Sequence, residues 1–328
     1  MSPSAVHCSL SRFPVEVYSL NPATRRASVF VLAFVALWSL RVAPARGIAV
    51  FAAVPELAET INELTRRIPS RSAGAPTGSQ FVASVARMDL RHRERAVLEQ
   101  VIEGNIPTFL KRLAPVTLTA VLGGITQTAT VFVMPDYLAI GSDDDYLRIP
   151  MNLETATAIA ARFGFLLPTK RIVNAVYAQS AFHFRPEPLT PGPEMSSTDY
   201  YRHHNELIEA QARAGAVLPG TLVSGHKKDL VITNLLARIP ERIAIYGWQR
   251  PGGTPIQPLS TVHGVCYEDY SHGIRLVSEL AWKNGALRAV RDILHDAAAA
   301  PVLSDEGAIA AFTNFTPGFC SSGIRDGN

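Results

Sequence analysis

The sequence predicts an α+β fold with a mixed or mainly antiparallel sheet and several packed helices. Three observations predict it. Segments rich in helix formers carry apolar residues at helical spacing. Short runs of β-branched and aromatic residues alternate with glycine- and proline-rich turns. The chain has 328 residues, of which 47% are hydrophobic, and this is enough to bury a substantial core.

The N-terminal segment has the features of a signal peptide. Residues 27–40 form an uncharged apolar stretch behind two arginines. The stretch is shorter than the roughly 20 residues of a membrane span but suits a signal h-region. Ala43 and Ala45 are small residues at the expected cleavage positions. We therefore predict a signal peptide over 1–45 and a secreted or periplasmic protein, without a membrane span after cleavage. An uncleaved anchor and a buried core helix are the alternatives.

The remaining residues, 46–328, are predicted to form a single α+β globular domain. Four prolines within 184–195 mark a candidate internal boundary, with a long surface loop as the alternative. The formal net charge is +3, and no run of five or more basic residues occurs. The sequence therefore does not indicate a nucleic-acid-binding face.

The first half of this domain combines helices with β-like runs. Helical spacing predicts helices at 56–67, 89–103, 153–163 and about 170–182. Runs of β-branched and aromatic residues predict strands at 116–122, 128–134 and 146–150. Residues 69–79 have the composition of a loop.

The second half has fewer helices and more short apolar runs. A helix is predicted at about 198–214 and another at 285–296. Between them, strand-like runs occur at 229–236, 242–248, 255–259 and 272–277, separated by proline- and glycine-containing turns. This half reads as a small mixed or antiparallel sheet closed by a helix.

The segment 261–277 concentrates groups that carry chemistry between two apolar runs. Its candidate site residues are His263, Tyr267, Asp269, Ser271, His272 and Arg275. Such groups are costly to bury unless paired, and they serve acid–base, nucleophilic and metal chemistry. If a strand begins at Tyr270, His272 shares a face with two aliphatic residues and points inward. With Asp269 it is a candidate general base, and a satisfied core histidine is the alternative.

A second polar group precedes the apolar run 230–232. Its candidate site residues are His226, Lys228 and Asp229. His226 and Asp229 are a candidate base–orienter pair, and Lys227 or Lys228 is a candidate stabiliser of an oxyanion. An exposed polar turn is the alternative.

Sheet geometry predicts that these two polar groups converge. We expect 230–235 and 242–247 to pair as antiparallel neighbours, and the strand from 271 to run antiparallel to the middle one. Both polar segments would then lie at one end of the sheet, where catalytic groups can meet.

Metal and cysteine chemistry add further alternatives. No cofactor is predicted, but His226, His263 and His272, with Asp229 or Asp269, could supply ligands for zinc. No compact HxH or HExxH spacing accompanies them.

Cysteine usage predicts one disulfide. Removal of the signal peptide would leave Cys266 and Cys320 as the only cysteines, and they could pair in an oxidising compartment. A free Cys266 nucleophile is the alternative.

Several stretches of the second half resemble other sequences. From about residue 136 to residue 307, the chain is similar to a group of uncharacterised secreted bacterial and fungal proteins. The matching stretches include SGHKKDLVI, AIYGWQ and YEDYSHGIRLV. The resemblance implies a secreted protein of one unit and implies no particular mechanism.

The residues themselves predict a secreted hydrolase that acts on an extracellular polymer or its fragments by His/Asp acid–base or nucleophilic chemistry. One alternative is a zinc-type metallohydrolase that uses the same histidines. Another is a non-catalytic carbohydrate- or cell-wall-binding protein, in which aromatic side chains form a stacking surface. The aromatic residues considered for that surface are Tyr246, Trp248, Tyr267 and Tyr270.

Overall fold

The computed structural model describes residues 55–239, 241–310 and 320, and all of these belong to one compact unit. The predicted α+β class is confirmed: helices pack with sheets in which antiparallel pairing dominates. The predicted signal peptide lies outside the described residues. Within them, no helix has both the length and the apolar character that crossing a membrane requires.

The described residues contain seven α-helices. These are α1 (Pro55–Arg66), α2 (Gly78–Val85), α3 (Leu90–Ile102), α4 (Leu153–Phe163), α5 (Lys170–Gln179), α6 (Thr198–Ala214) and α7 (Val290–His295). Side-chain N-caps explain several of the starts. Asp89, Asn152 and Ser197 each accept a hydrogen bond from a backbone N–H in the first turn of α3, α4 and α6.

Thirteen strands accompany these helices in the described part of the chain. They are β1 (Ala114–Leu122), β2 (Ile125–Val133), β3 (Ala139–Gly141), β4 (Tyr146–Arg148), β5 (Phe165–Leu166), β6 (Phe182–His183), β7 (Val223–Ser224), β8 (Lys228–Leu230), β9 (Ile245–Gln249), β10 (Pro255–Ser260), β11 (His272–Gly273), β12 (Val277–Lys283) and β13 (Ala286–Ala289).

The larger sheet supports the core. Its strands follow the order β1-β2-β12-β13, with β5 also paired to β12, and every pair is antiparallel. β1 and β2 form a hairpin closed by Gly123 and Gly124, both of which have positive φ. Buried residues of this sheet, such as Val131 and Val277, join the main hydrophobic core with residues of α3, α4 and α5.

The smaller sheet carries the polar segments that the sequence singles out. Its strand order is β10-β9-β8-β11. β9 is antiparallel to both of its neighbours, whereas β11 runs parallel to β8, with His272 opposite Lys228 and Gly273 opposite Asp229. The proline-rich stretch 184–195 packs against the segment before β11, since the Leu189 N–H donates to the Tyr270 hydroxyl at 2.7 Å.

Several predicted segments differ from the structure. The run 229–236 is a strand only as far as Leu230, and a 3-10 helix begins at Asn234. The run 272–277 is a strand only at His272–Gly273, and the next strand begins at Val277.

Residues 285–296 are not one helix: β12 and β13 form a hairpin through Asn284 and Gly285, and only Val290–His295 is helical. Both turn residues have positive φ, and Asn-Gly is a strong hairpin signal that outweighed the helix propensity around it. The predicted loop 69–79 also ends earlier, because Thr77 caps α2 in a capping box with Gln80.

Candidate active site around Asp269

The two polar segments meet at one end of the smaller sheet. Because β8 and β11 are parallel, the residues that lead into both strands lie at the same edge. The Lys228 N–H donates to the Ser271 carbonyl at 2.7 Å, which joins the starts of the two strands directly. The starts of the two segments therefore lie together, but of the first group only Lys228 reaches the Asp269 carboxylate. β11 runs antiparallel to β9, as expected, but its neighbour in the sheet is β8, with which it pairs in parallel.

The carboxylate of Asp269 is the centre of this cluster. Its Oδ1 accepts hydrogen bonds from the Ser271 hydroxyl at 2.5 Å and the Ser271 N–H at 2.7 Å. Its Oδ2 accepts a hydrogen bond from the Tyr267 hydroxyl at 3.0 Å. The Lys228 Nζ and the His272 Nε2 each lie 3.9 Å from the same Oδ2. Four of the predicted site residues therefore surround the buried carboxylate of a fifth, Asp269.

The charge states of Asp269 and His272 differ at neutral pH. Burial alone would raise the pKa of Asp269, but His272, Lys228 and the Ser271 hydrogen bonds outweigh it and lower the pKa to about 2. Burial lowers the pKa of His272 to about 4, against the opposing effect of Asp269. At neutral pH the cluster therefore holds an ionised carboxylate beside a neutral imidazole.

The imidazole of His272 has unused hydrogen-bonding capacity. Its side chain has no exposed surface, as the inward orientation predicted from the strand pattern requires. Neither Nδ1 nor Nε2 has a hydrogen-bond partner among the described residues. Since buried polar groups are usually paired, an unpaired imidazole beside a carboxylate points to a position where a water or a reacting group is held.

A stacked pair of rings adjoins His272. The His263 and Tyr267 rings lie parallel, with centroids 4.1 Å apart. Their centroids lie 6.3 Å and 5.6 Å from that of His272. Both residues are partly exposed, and burial lowers the pKa of His263. Val262, beside them in the chain, is 67% exposed. This partly exposed pair therefore lies beside the fully buried ring of His272.

His226 belongs to a different buried network. Its Nε2 lies 3.1 Å from Asp136 Oδ1, and Asp136 also pairs with Arg148 at 2.8 Å. The imidazole packs edge-on against the rings of Tyr137 and Phe184, and burial lowers its pKa to about 4. The predicted base–orienter pair of His226 with Asp229 is therefore not formed.

Asp229 and Arg275 join the strands on the other face of the sheet. In the β8–β11 pair, Lys228 and His272 share one face, and Asp229 and Gly273 share the other. Asp229 Oδ2 accepts a hydrogen bond from the Tyr137 hydroxyl at 2.8 Å, and its Oδ1 lies 4.0 Å from Arg275 Nε. Burial raises the pKa of Asp229 to about 7.

Arg275 is held by the backbone as well. Its two terminal nitrogens donate to the Met134 and Val223 carbonyls, both at 2.8 Å. The guanidinium carbon lies 4.4 Å from the centroid of the Tyr137 ring. These contacts tie β11 to neighbouring segments, so Asp229 and Arg275 stabilise the site without belonging to the Asp269 cluster.

The structure also includes residues that sequence reasoning missed. Asp136 and Tyr137 follow the apolar run 128–134 after Pro135, and a polar pair at a strand end is a signal that could have identified them. Lys227, a candidate oxyanion stabiliser for which an exposed polar turn was the alternative, is 1% exposed and is not part of such a turn. Its Nζ donates to the Tyr270 carbonyl at 2.5 Å, and burial lowers its pKa to about 7.

The geometry gives less support to the zinc site and to the aromatic stacking surface. Among residues 55–239, 241–310 and 320, no group of three or more His, Cys, Asp or Glu side chains could hold a metal ion. The zinc alternative therefore has no ligand set within this part of the chain. Tyr246, Trp248 and Tyr270 are buried, so they do not form an exposed stacking surface with Tyr267.

Cys266 and Cys320 form a disulfide, as predicted. Their sulfurs are 2.25 Å apart and their Cα atoms 5.4 Å apart. Cys266 is consequently not a free nucleophile in this structure. The bridge attaches residue 320 to the turn that carries Tyr267, and the Cys320 N–H donates to Glu154 on α4 at 2.9 Å.

Comparisons of the chain with protein-family models, with curated proteins and with solved structures found no match. The resemblance to uncharacterised secreted proteins therefore stays a prediction, and the functional argument rests on the geometry around Asp269.

Proposed function

We propose that the protein is a hydrolase that acts on an extracellular polymer or its fragments by general acid–base catalysis at the Asp269 cluster. The observation that carries this proposal is the His272 imidazole. It is neutral at neutral pH, it has no hydrogen-bond partner on either ring nitrogen among the described residues, and it lies 3.9 Å from an ionised carboxylate. A neutral imidazole beside a carboxylate is the arrangement that a histidine base requires.

Each member of the cluster has a role in this proposal. His272 removes a proton from a water molecule as the water oxygen attacks the substrate, and it returns that proton to the leaving group. Asp269 stabilises the imidazolium that forms in between. Lys228, whose side chain is 11% exposed, supplies positive charge near the negative oxygen that develops on the substrate.

Ser271 supports water as the nucleophile. Its side chain has no exposed surface, and its hydroxyl donates to Asp269 at 2.5 Å. A serine nucleophile would instead donate its proton toward a histidine base. Because the hydroxyl is used to orient the carboxylate, we assign Ser271 a positioning role.

The number of carboxylates beside His272 favours an ester or amide substrate over a glycoside. Glycoside hydrolysis generally uses two carboxyl groups that flank the bond, about 5–10 Å apart. Within the described contacts, Asp269 is the carboxylate beside His272, and Asp229 lies on the opposite face of the sheet. One imidazole, one carboxylate and one ammonium suit the hydrolysis of an ester or an amide.

Access to His272 involves the stacked pair. Because His272 has no exposed surface, a substrate reaches it when His263 and Tyr267 move aside. Tyr267 is attached to Cys266, whose disulfide restrains the backbone there, so His263 is the ring that moves more readily.

The predicted export and the disulfide support an extracellular substrate. Disulfides persist in oxidising compartments, and the Cys266–Cys320 bridge is compatible with secretion or a periplasmic location.

The test is turnover by residues 46–328, purified from an oxidising host, on panels of ester, amide, glycosidic and peptidoglycan substrates. We expect turnover of an ester or amide that is unaffected by chelator. In His272→Gln this turnover should fall by about 10²–10⁴-fold, the usual contribution of a general base. The matched control is His203→Gln, since the side chain of His203 is 56% exposed on α6.

The other results separate the alternatives. Activity that chelator abolishes and metal restores would favour the zinc-type hydrolase. Retention on a polymer without turnover would favour the binding protein. Equal activity in His272→Gln and His203→Gln would overturn the proposed base.

A further inference from the structure

Strand β9 contains a local distortion beside the Asp269 cluster. Gly247 and Trp248 are consecutive residues with positive φ, of 114° and 55°. Glycine adopts such values easily, but a bulky residue in this region is an outlier that its surroundings must enforce. The Trp248 N–H donates to the Lys227 carbonyl at 2.9 Å, which fixes the distorted backbone against β8.

The distortion changes where the Trp248 ring lies. Lys228 is opposite Gly247 in the β8–β9 pair, so in a regular strand the next side chain, that of Trp248, would point to the other face. Backbone distortions of this kind cluster at active sites, where the surrounding structure enforces them. Here the Trp248 ring centroid lies 5.2 Å from the Lys228 Nζ, within the range of a cation–π interaction.

The indole is not oriented by a hydrogen bond. Trp248 is 5% exposed, and its Nε1 has no hydrogen-bond partner among the described residues. Trp248 therefore has two destabilising features, a left-handed backbone conformation and an unpaired buried N–H. The favourable contact that its ring makes in this position is the one with the Lys228 ammonium.

The ammonium of Lys228 therefore has two partners. Its Nζ lies 5.2 Å from the centroid of the Trp248 ring and 3.9 Å from the Oδ2 of Asp269. A lysine side chain has four rotatable bonds, so two partners restrict it far more than one would.

We propose that Trp248 is a positioning residue, whose ring holds the Lys228 ammonium against Asp269 and beside His272. The importance of Trp248 for catalysis rests on the proposed function. The position of the Lys228 ammonium is independent of that function, and it can be measured without a substrate.

The pKa of the His272 imidazole depends on where the Lys228 ammonium lies. The charged and titratable groups that affect it are Asp269, Lys228, His263 and Lys227. Asp269 raises the pKa of His272, and the other three lower it. If the Lys228 ammonium moves away, His272 loses a repulsive charge and its pKa rises.

The experiment is an NMR titration of the His272 ring C–H signals in a chain labelled at histidine. We expect a higher His272 pKa in Trp248→Leu than in the wild-type chain, and a similar or larger rise in Lys228→Met. In the double variant, the pKa should equal that of Lys228→Met, because Trp248 acts through Lys228. The control is Trp282→Leu, which removes a tryptophan from β12 in the other sheet and should leave the His272 pKa unchanged.

Two results would overturn the proposal: an unchanged His272 pKa in Trp248→Leu, or additive shifts in the double variant. If Trp248→Leu does not fold, Trp248→Phe replaces it. Phenylalanine attracts a cation less strongly than tryptophan, so a smaller rise is expected and no rise contradicts the proposal. A chain with these shifts but without hydrolase activity would reject the proposed function and leave the positioning role in place.

Discussion

Lys228 and His272 face each other across the parallel β8–β11 pair, and both lie 3.9 Å from the same oxygen of Asp269. Two segments that are far apart in the sequence are thereby joined around one carboxylate. The pairing places the cation and the neutral base on one face of the sheet, at an edge bordered by His263 and Tyr267.

The first prediction concerns Asp269→Asn, which keeps the shape of the side chain but removes its charge. We expect a loss of about 2–4 kcal/mol in the free energy of unfolding at pH 7, since Lys228 loses its buried counter-charge. Urea denaturation at pH 7 measures this loss.

The stabilisation by the Asp269 carboxylate should also depend on pH. Because the folded-state pKa of Asp269 is lowered to about 2, its stabilisation is present above the unfolded pKa and is lost as pH falls through the folded pKa. The difference between wild type and variant should therefore shrink in acid. Asp199→Asn, at a side chain that is 89% exposed on α6, should behave as the wild type does, and an equal loss there would contradict the prediction.

The second prediction concerns the buried carboxyl of Glu94 on α3. Burial raises its pKa to about 7, and its Oε2 has no hydrogen-bond partner among the described residues. A raised pKa favours the protonated form in the folded state, so the stabilisation is complete below the unfolded pKa near 4.5 and is lost as pH rises through about 7. The loss amounts to about 3 kcal/mol for this group.

Glu94→Gln should flatten that part of the stability profile between pH 5 and pH 8, as measured by urea denaturation at several pH values. Glu99→Gln changes an exposed residue of the same helix and should keep the wild-type slope. A Glu94→Gln profile that is parallel to the wild type would reject the assignment.

The third prediction concerns the disulfide. The Cys266–Cys320 bridge spans a sequence separation of 54 residues. In the chain-entropy model, its removal costs about 4 kcal/mol. The variant with both cysteines changed to serine should lose this amount in urea denaturation, and the wild type should lose as much when a reductant is added. Thiol titration of the unfolded, non-reduced chain should find almost no free sulfhydryl in residues 46–328, and two titratable thiols would refute the bridge.

The fourth prediction concerns Gly273, opposite Asp229 in the β8–β11 pair. A Cβ atom there would lie 2.6 Å from a ring carbon of Tyr137 and 2.7 Å from the Cβ of Lys227. Gly273→Ala should therefore destabilise the fold by about 1–3 kcal/mol through overpacking. Gly192→Ala is the control, because no atom lies within 4 Å of a Cβ at that position. Thermal unfolding compares the two, and equal melting temperatures would show that the site has room for a methyl group.

The parts of the fold set by local interactions were predictable. The helix at 153–163 was predicted from its spacing with the bounds that α4 has. In the structure Asn152 caps its start, and Gly164 ends it in a left-handed conformation. The β-rich runs at 116–122 and 128–134 were predicted as strands, and they correspond to β1 and β2. The disulfide followed from counting the cysteines that remain after export.

The pairing of β11 with β8 was not predictable in the same way. Each of these strands has only two or three residues, so their pairing depends on contacts made by the rest of the fold. The same holds for His226: its partner, Asp136, is distant in sequence, whereas Asp229 is close to it in the chain but bonds to Tyr137. Sequence proximity indicated the right residues for the cluster and the wrong partner for this histidine.

The order of strands in the smaller sheet determines where a reporter group can be attached. β10 forms one edge of this sheet, and two strands separate it from β11 at the other edge. The turn between β9 and β10 contains Gly252, which is exposed and would have no atom within 4 Å of an added Cβ. A short epitope inserted beside Gly252, with the glycine kept because of its positive φ of 95°, would therefore leave the Asp269 cluster undisturbed. A tag joined close to Cys320 could instead displace the backbone at Tyr267, because Cys320 is bonded to the adjacent Cys266.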